Sequence, residues 1–175
     1  MAYYKQVYCS VVVPLYNEAA VVNKLYERLL KTMDKTGLTY ELVFIDDGSS
    51  DNTLELLKEI AFDDGKVTVV ELRQNFGQTP ALAAGFDAAK GQVIISMDGD
   101  LQHAPEEIPE FLEKINAGYD VVSGWRKRRV DNLVMRKIPS RIANWAASKI
   151  SGVDIHDFGT TFKAYKREVI DELNL

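Results

Sequence analysis

"QVIISMDGDLQH", residues 92–103, runs from an unbroken apolar segment straight into two aspartates, a glycine and a histidine. The apolar part is too short for a helix and rich in β-branched residues, so it predicts a strand over 92–97 with a polar loop at its carboxyl end. The same figure occurs three times upstream. "YCSVVV" (8–13) ends at Pro14 and opens into "PLYNE", "ELVFI" (41–45) opens into "DDGSS", and "KVTVVEL" (66–72) opens into "RQNFG". Helical periods separate these runs. Val21, Val22, Leu25 and Leu29 form one stripe with Asn17 as a candidate cap. Leu54, Leu57 and Ile60 form a second behind the capping candidates of "DDGSSDNT", and an alanine-rich helix is expected near 79–90. Pro105 belongs in the first turn of another helix, where its missing N–H costs nothing. Downstream, "YDVVSG" (119–124) predicts a fifth strand, 132–150 a mostly helical stretch, and "TFKAY" (161–165) a sixth strand.

Strands alternating with helices specify an α/β protein with a mostly parallel open sheet and helices on both faces. In such a sheet, ligands bind in the crevice outside the carboxyl ends of the strands. The four loops at that end are the polar, glycine-containing, carboxylate-rich segments of the chain. The loops at the other end, "KTGLTYE" and "DDGKV", are plain connectors.

The 175 residues suit a single domain spanning 1–175, and 46 % hydrophobic with 27 % charged residues is an ordinary globular composition. Cys9, the single cysteine, lies in an apolar run and reads as a buried small hydrophobe, which fits a reducing compartment. The N-terminus shows no signal-peptide pattern, and no apolar run reaches the ~18–20 residues of a membrane helix. The net charge of −5 is unevenly spread: residues 126–141 carry seven Lys/Arg and one Asp, a local +6 that leaves −11 for the rest. An acidic body with one basic segment points to a local anionic partner and not to nucleic acid.

Each loop taken singly has two readings. Asp98-Gly-Asp100 is either a solvated turn or a pair of hard oxygen ligands for a divalent cation. Asp46 and Asp47 either cap the next helix or accept hydrogen bonds from a ligand. Gly77 fits a positive-φ turn. Gly85 and the alanines at 81, 83, 84, 88 and 89 fit close helix–sheet packing.

In their order, "VVVPLYNE", "VFIDDGSSDNT", "RQNFGQTPALAAGF" and "ISMDGDLQHAPE" resemble the nucleotide-sugar-binding half of family 2 glycosyltransferases, over residues 8–165. "DLQHAPE", "NFGQTPALAAGF", "VVSGWRKRR" and "DFGTTFKAYKREV" resemble the branch acting on polyprenyl phosphates, which includes dolichyl-phosphate mannosyltransferases and prenyl-phosphate glucosyltransferases. The resemblance implies a GT-A, Rossmann-like fold and an inverting, metal-dependent hexosyl transfer from a UDP- or GDP-linked sugar to a polyprenyl phosphate. It implies Mg²⁺ or Mn²⁺ at Asp98, Asp100 and Gln102. It further places Pro14, Tyr16, Glu18, Asp46, Asp47, Asn75, Gly77, Gln78 and Asp98 around the nucleotide sugar, with the Asp46–Asp47 pair toward the base. Glycine between the two aspartates is expected to let the backbone approach the diphosphate.

On the acceptor side, the resemblance assigns Arg126 to the acceptor phosphate and Asp157 to a base or acceptor-positioning role. Asp157 can equally cap a turn at "DFG". The rest of segment 126–141 is either a membrane-surface patch or a solvated loop. His103 and His156 are too isolated for a zinc site and are expected to flank the crevice or sit at its rim. Longer members of the family continue into amphipathic and transmembrane helices, which implies a location at the cytoplasmic face of a membrane. Two rival functions remain open at this point: a family 2 transferase acting on a cell-surface glycan, and a nucleotide-binding module without turnover.

Overall fold

The computed structural model describes residues 6–124 and 160–172. Two compact units are distinguished: Met1–Val122 with Phe162–Leu175, and Ser123–Thr161. The first holds nearly all of the described residues. The expected helical stretch at 132–150, with Arg126, Asp157, His156 and the basic segment 126–141, lies outside the described residues.

The chain alternates as its periodicity predicts. Strand β1 (Cys9–Leu15) leads to helix α1 (Val22–Thr36), β2 (Tyr40–Asp46) to α2 (Thr53–Asp63), and β3 (Val67–Glu71) to α3 (Gln78–Ala88). Strand β4 (Val93–Ser96) is followed by a 3₁₀ turn (Pro105–Glu107), α4 (Ile108–Asn116) and β5 (Val121–Ser123). Beyond the undescribed stretch come β6 (Lys163–Lys166) and the short helix α5 (Arg167–Asp171). The six strands form one sheet in the order β3-β2-β1-β4-β6-β5. Strands β1 to β4 are parallel, and β6 runs antiparallel to β4 with Ala164 opposite Ile95.

The period of two along β1 sorts its side chains between two cores. Val11, Val13 and Leu15 pack with Leu25 and Leu29 of α1, Leu57 of α2 and Phe111 of α4. Val12, with Val43, Ile45 and Ile94, packs on Ala81 and Phe86 of α3 and Ile170 of α5. Helices therefore cover both faces. A Cβ added to Gly85 would stand 2.5 Å from Val12 Cγ1 and 2.6 Å from Ile45 Cδ1, so α3 rests on the sheet through the glycine expected there. Cys9 is fully buried, and burial, with the charge of Glu41 second, pushes its thiol up to about 12.

Two local expectations change. Strand β1 continues through Pro14, which pairs with Ile45. The β1–β4 register ends at Val12 opposite Ser96, and the Val12 carbonyl accepts the N–H of Met97. Pro14 shares that side of the strand, past the end of β4, so no ladder bond needs its absent N–H. Asn17 does not cap α1, whose N-cap is Val21 with no side-chain bond. Asn17 instead takes φ 56° and accepts the N–H of Ser50 at 2.8 Å, while its own N–H donates to Ser49 Oγ at 2.9 Å.

Candidate functional site

The four loops after β1 to β4 are stitched to one another at the carboxyl rim. The first two are joined by the Asn17 bonds, by Glu18 N–H to Thr53 Oγ1 at 2.9 Å and by Ala19 N–H to Asp51 Oδ2 at 3.2 Å. The second and third meet through Asp47. Its two carboxylate oxygens accept the N–H groups of Phe76 (2.8 Å) and Gly77 (2.9 Å), and its own N–H donates to the Leu15 carbonyl. Asp47 is thus a clamp across the rim and not a cap for α2. Asp46, 1 % exposed, does act on its own turn, with Oδ2 accepting the N–H of Ser49 at 3.1 Å, while its buried Oδ1 has no hydrogen-bond partner among the described residues.

Close backbone approach explains two glycines. Gly48 has φ 68°, and a Cβ there would lie 2.3–2.6 Å from the backbone of Gln74 and Asn75. Gly77 has φ 91° with open space around it, the positive-φ turn expected before α3. Gly99 has a structural role besides the one expected. A Cβ there would strike Leu15 Cδ2 at 2.2 Å and approach the Pro14 carbonyl to 3.3 Å, so this glycine lets the Asp98–Asp100 loop cross the end of β1.

The third and fourth loops meet where Gln78 Nε2 donates to Asp98 Oδ1 at 2.6 Å. Asp100 is exposed and its Oδ1 accepts the N–H of Gln102 at 2.9 Å, closing a turn in which Leu101 takes φ 61°. Asn17 and Leu101, the two non-glycine residues at positive φ among those described, both sit on these loops, where sparsely populated conformations commonly mark functional sites. Glu18 faces the same space. Burial, then the charges of Asp100 and Asp51, hold its carboxyl above the usual range. Tyr16 and Phe76 project from the rim with 46 % and 44 % exposure, and the Arg73 guanidinium stands 5.7 Å from the Phe76 ring. Pro14 lies in β1, one residue before its end, and Asn75 on the third loop.

Of the residues singled out from sequence, the structure brings Pro14, Tyr16, Glu18, Asp46, Asp47, Asn75, Gly77, Gln78, Asp98, Asp100 and Gln102 to one rim. His103, expected at the crevice or its rim, is there too, with its imidazole buried and Nε2 3.3 Å from Asp98 Oδ2. What sequence alone left out was a role beside Asp98, for which the one signal was the place of His103 five residues later, between the acidic turn and Pro105.

The donor set suits a hard cation. Side-chain oxygens of Asp98, Asp100 and Gln102 share one short turn, and Glu18 adds negative charge to the same space. Among the described residues, no group of three or more His, Cys, Asp or Glu side chains forms a cage. Mg²⁺ or Mn²⁺ bound with phosphates and water needs only one or two protein carboxylates.

A mostly parallel sheet flanked by helices, with its polar loops gathered at the carboxyl rim, defines an α/β domain, and the chain belongs to glycosyl transferase family 2, whose family model matches residues 10–173. It is 42 % identical over 168 residues to a dodecaprenyl-phosphate galacturonate synthase of Rhizobium johnstonii, covering 95 % of this chain and 50 % of that protein. It is also 42 % identical over 165 residues to an undecaprenyl-phosphate 4-deoxy-4-formamido-L-arabinose transferase of Aeromonas hydrophila, covering 94 % and 50 %. The chain thus spans about half the length of these relatives. Its fold matches the mannosyltransferase PcManGT of Pyrobaculum calidifontis solved with GDP-Man and Mn²⁺ (TM-score 0.68, 20 % identity, 98 % of this chain and 48 % of that one). It likewise matches glucosyl-3-phosphoglycerate synthase of Mycobacterium tuberculosis solved with Mn²⁺ and UDP (TM-score 0.68, 24 % identity, 93 % and 58 %). The α/β fold expected from the sequence, mostly parallel and of GT-A type, is the fold observed. No helix among the described residues is long and apolar enough to cross a membrane.

Proposed function

We propose that this chain is the catalytic core of an inverting glycosyltransferase that moves a sugar from a UDP- or GDP-linked donor to a polyprenyl phosphate. The observation that carries the donor half is the convergence of Asp98, Asp100 and Gln78 with the loops held by Asp47 and Asn17. The polyprenyl acceptor is supported by the names of the relatives at 42 % identity.

Asp98, Asp100 and Gln102 would hold Mg²⁺ or Mn²⁺, whose chemistry there is to neutralise charge on the departing diphosphate. The chain's own residues supply position. Tyr16 offers an exposed ring at the rim for the base, and the Asp46–Asp47 turn lies beside it. The Asp47 clamp fixes Gly77, and with it the start of α3 and the Gln78 amide that holds Asp98. A polyprenyl phosphate is ionised at neutral pH, so its oxygen attacks the anomeric carbon without a strong base, and the enzyme's task is to orient one anion beside another. Arg126 is assigned to the acceptor phosphate and Asp157 to acceptor positioning or base duty. Segment 126–141 is assigned to the surface of an anionic membrane, on its cytoplasmic face. Displacement in a single step inverts the anomeric centre.

The test is a transfer assay with UDP- and GDP-sugars, Mn²⁺ or Mg²⁺, and a short polyprenyl phosphate, run against a soluble glycan acceptor. A lipid-linked monosaccharide as product supports the proposal. Transfer to the glycan alone replaces the acceptor half with a glycan-extending activity, and donor binding without turnover leaves a nucleotide-binding module.

A further inference from the structure

His103 takes no part in the donor site as sequence outlined it, yet its surroundings single it out. Its side chain is 4 % exposed, and among the described residues the buried Nε2 has no hydrogen-bond partner although it lies 3.3 Å from Asp98 Oδ2. The separation is short enough for a bond; the alignment is missing. A buried ring nitrogen left in that state carries an uncompensated desolvation cost, and alignments of this kind commonly close when a ligand binds. The ring also packs on the core. The Phe162 centroid lies 5.2 Å from the imidazole, and Phe162 in turn stacks on Phe111 of α4 at 4.3 Å. Asp98 therefore stands between two protein groups, with Gln78 donating to Oδ1 and His103 facing Oδ2. The contact also closes a loop from 98 to 103 that contains Asp100 and Gln102.

We propose that His103 is a positioning residue: through Nε2–H it sets the orientation of the Asp98 carboxylate, and the Phe162–Phe111 stack holds the imidazole in place. The proton belongs on Nε2, because a neutral ring protonated at Nδ1 would turn a lone pair toward the carboxylate. Groups that orient a metal-binding carboxylate change metal affinity without touching the ion. The inference rests on the reading of Asp98 as part of a metal and nucleotide site.

Two variants separate positioning from packing. His103→Phe keeps a ring against Phe162 and removes the donor. His103→Gln loses the ring but keeps an amide N–H near the Nε2 position. The measurement is Mn²⁺ binding in the presence of UDP or GDP, followed by the free-Mn²⁺ electron paramagnetic resonance signal, with thermal unfolding in parallel. His103→Phe is expected to weaken Mn²⁺ binding about tenfold, the lower end for loss of an outer-shell partner, while unfolding near the wild-type temperature. His103→Gln is expected to bind Mn²⁺ more tightly than His103→Phe despite a lower unfolding temperature. Equal affinities in the two variants, the reverse order, or wild-type affinity in His103→Phe overturns the positioning role and leaves the ring as packing. If the wild-type protein binds no Mn²⁺ with either nucleotide, the metal-site reading fails and this inference falls with it.

Discussion

Replacing Asp47 by Asn tests whether this carboxylate builds the rim before it meets any ligand. Asp47 is 4 % exposed, and both oxygens are committed to backbone N–H groups, at 2.8 Å to Phe76 and 2.9 Å to Gly77. Hydrogen bonds to a charged group contribute about 1.5–3 kcal/mol each, and an amide in the same place offers one acceptor and turns a donor toward the second N–H. One bond is lost and the other weakened. Phe76 is partly exposed, so the loop can move and rewet, which places the expected loss near the lower limit, at about 2–3 kcal/mol. For a chain of this length each kcal/mol lowers the unfolding temperature by roughly 2–4 °C, so Asp47→Asn should unfold roughly 4–12 °C below wild type. Urea unfolding with matched slopes gives the free-energy difference directly. UDP and GDP affinities should fall together, because the loop before α3 loosens for either base. A stability loss below about 0.5 kcal/mol, the level of an ordinary surface substitution, would refute the clamp. If binding were abolished at unchanged stability, the carboxylate would be acting on the base and not on the backbone.

The same geometry sets further outcomes. Gly48→Ala should cost clearly more than Gly77→Ala, since both have positive φ but only Gly48 is packed against backbone; the open site should cost about 1–2 kcal/mol by urea unfolding. Gly99→Ala should destabilise by about 1–3 kcal/mol, the range for overpacking, with a crystal structure showing Leu15 displaced. Stability should fall as pH rises from about 9 toward 12. Cys9 is raised from 9.0 to about 12 by burial and Tyr40 from 10.0 to about 12 by burial and by Asp34, so over that window the unfolded chain releases protons that the folded one retains. Tyr40→Phe and Cys9→Ala should each flatten the slope of urea-derived stability against pH. Gln78→Leu, which removes the 2.6 Å bond to Asp98, should weaken Mn²⁺-dependent nucleotide binding about tenfold as read by calorimetry.

The strand and helix order, both cores and the polar rim were legible because they rest on local periodicity. The alternation of Val11, Val12 and Val13 between two cores is written in the residues themselves, and so is the need for a small residue at Gly85. What escaped has one physical origin. Asn, Asp and Gly near a helix start satisfy a local capping rule and a long-range bond equally well, and sequence alone supports the local reading first. Asn17 bonds to Ser50, 33 residues on, and Asp47 to Phe76, 29 residues on, so neither serves as the cap its position suggested. Gly99 meets the end of β1, a contact between segments more than 80 residues apart that no local pattern announces. His103 has no periodic signal, and its packing partner Phe162 lies 59 residues on, beyond any local pattern. The acceptor-side assignments, Arg126 and Asp157, rest on the family resemblance alone.

If the four strand-end loops form one metal and nucleotide site, nucleotide affinity must depend on both the cation and Asp100. Calorimetric titration of UDP and GDP into the wild-type protein and Asp100→Ala, each with and without Mn²⁺, reads that dependence. At least one nucleotide is expected to bind wild type only when Mn²⁺ is present, and Asp100→Ala to lose at least about tenfold of that affinity while unfolding at the wild-type temperature. Nucleotide binding that ignores both Mn²⁺ and the substitution, or no binding of either nucleotide under any of these conditions, would contradict a shared site.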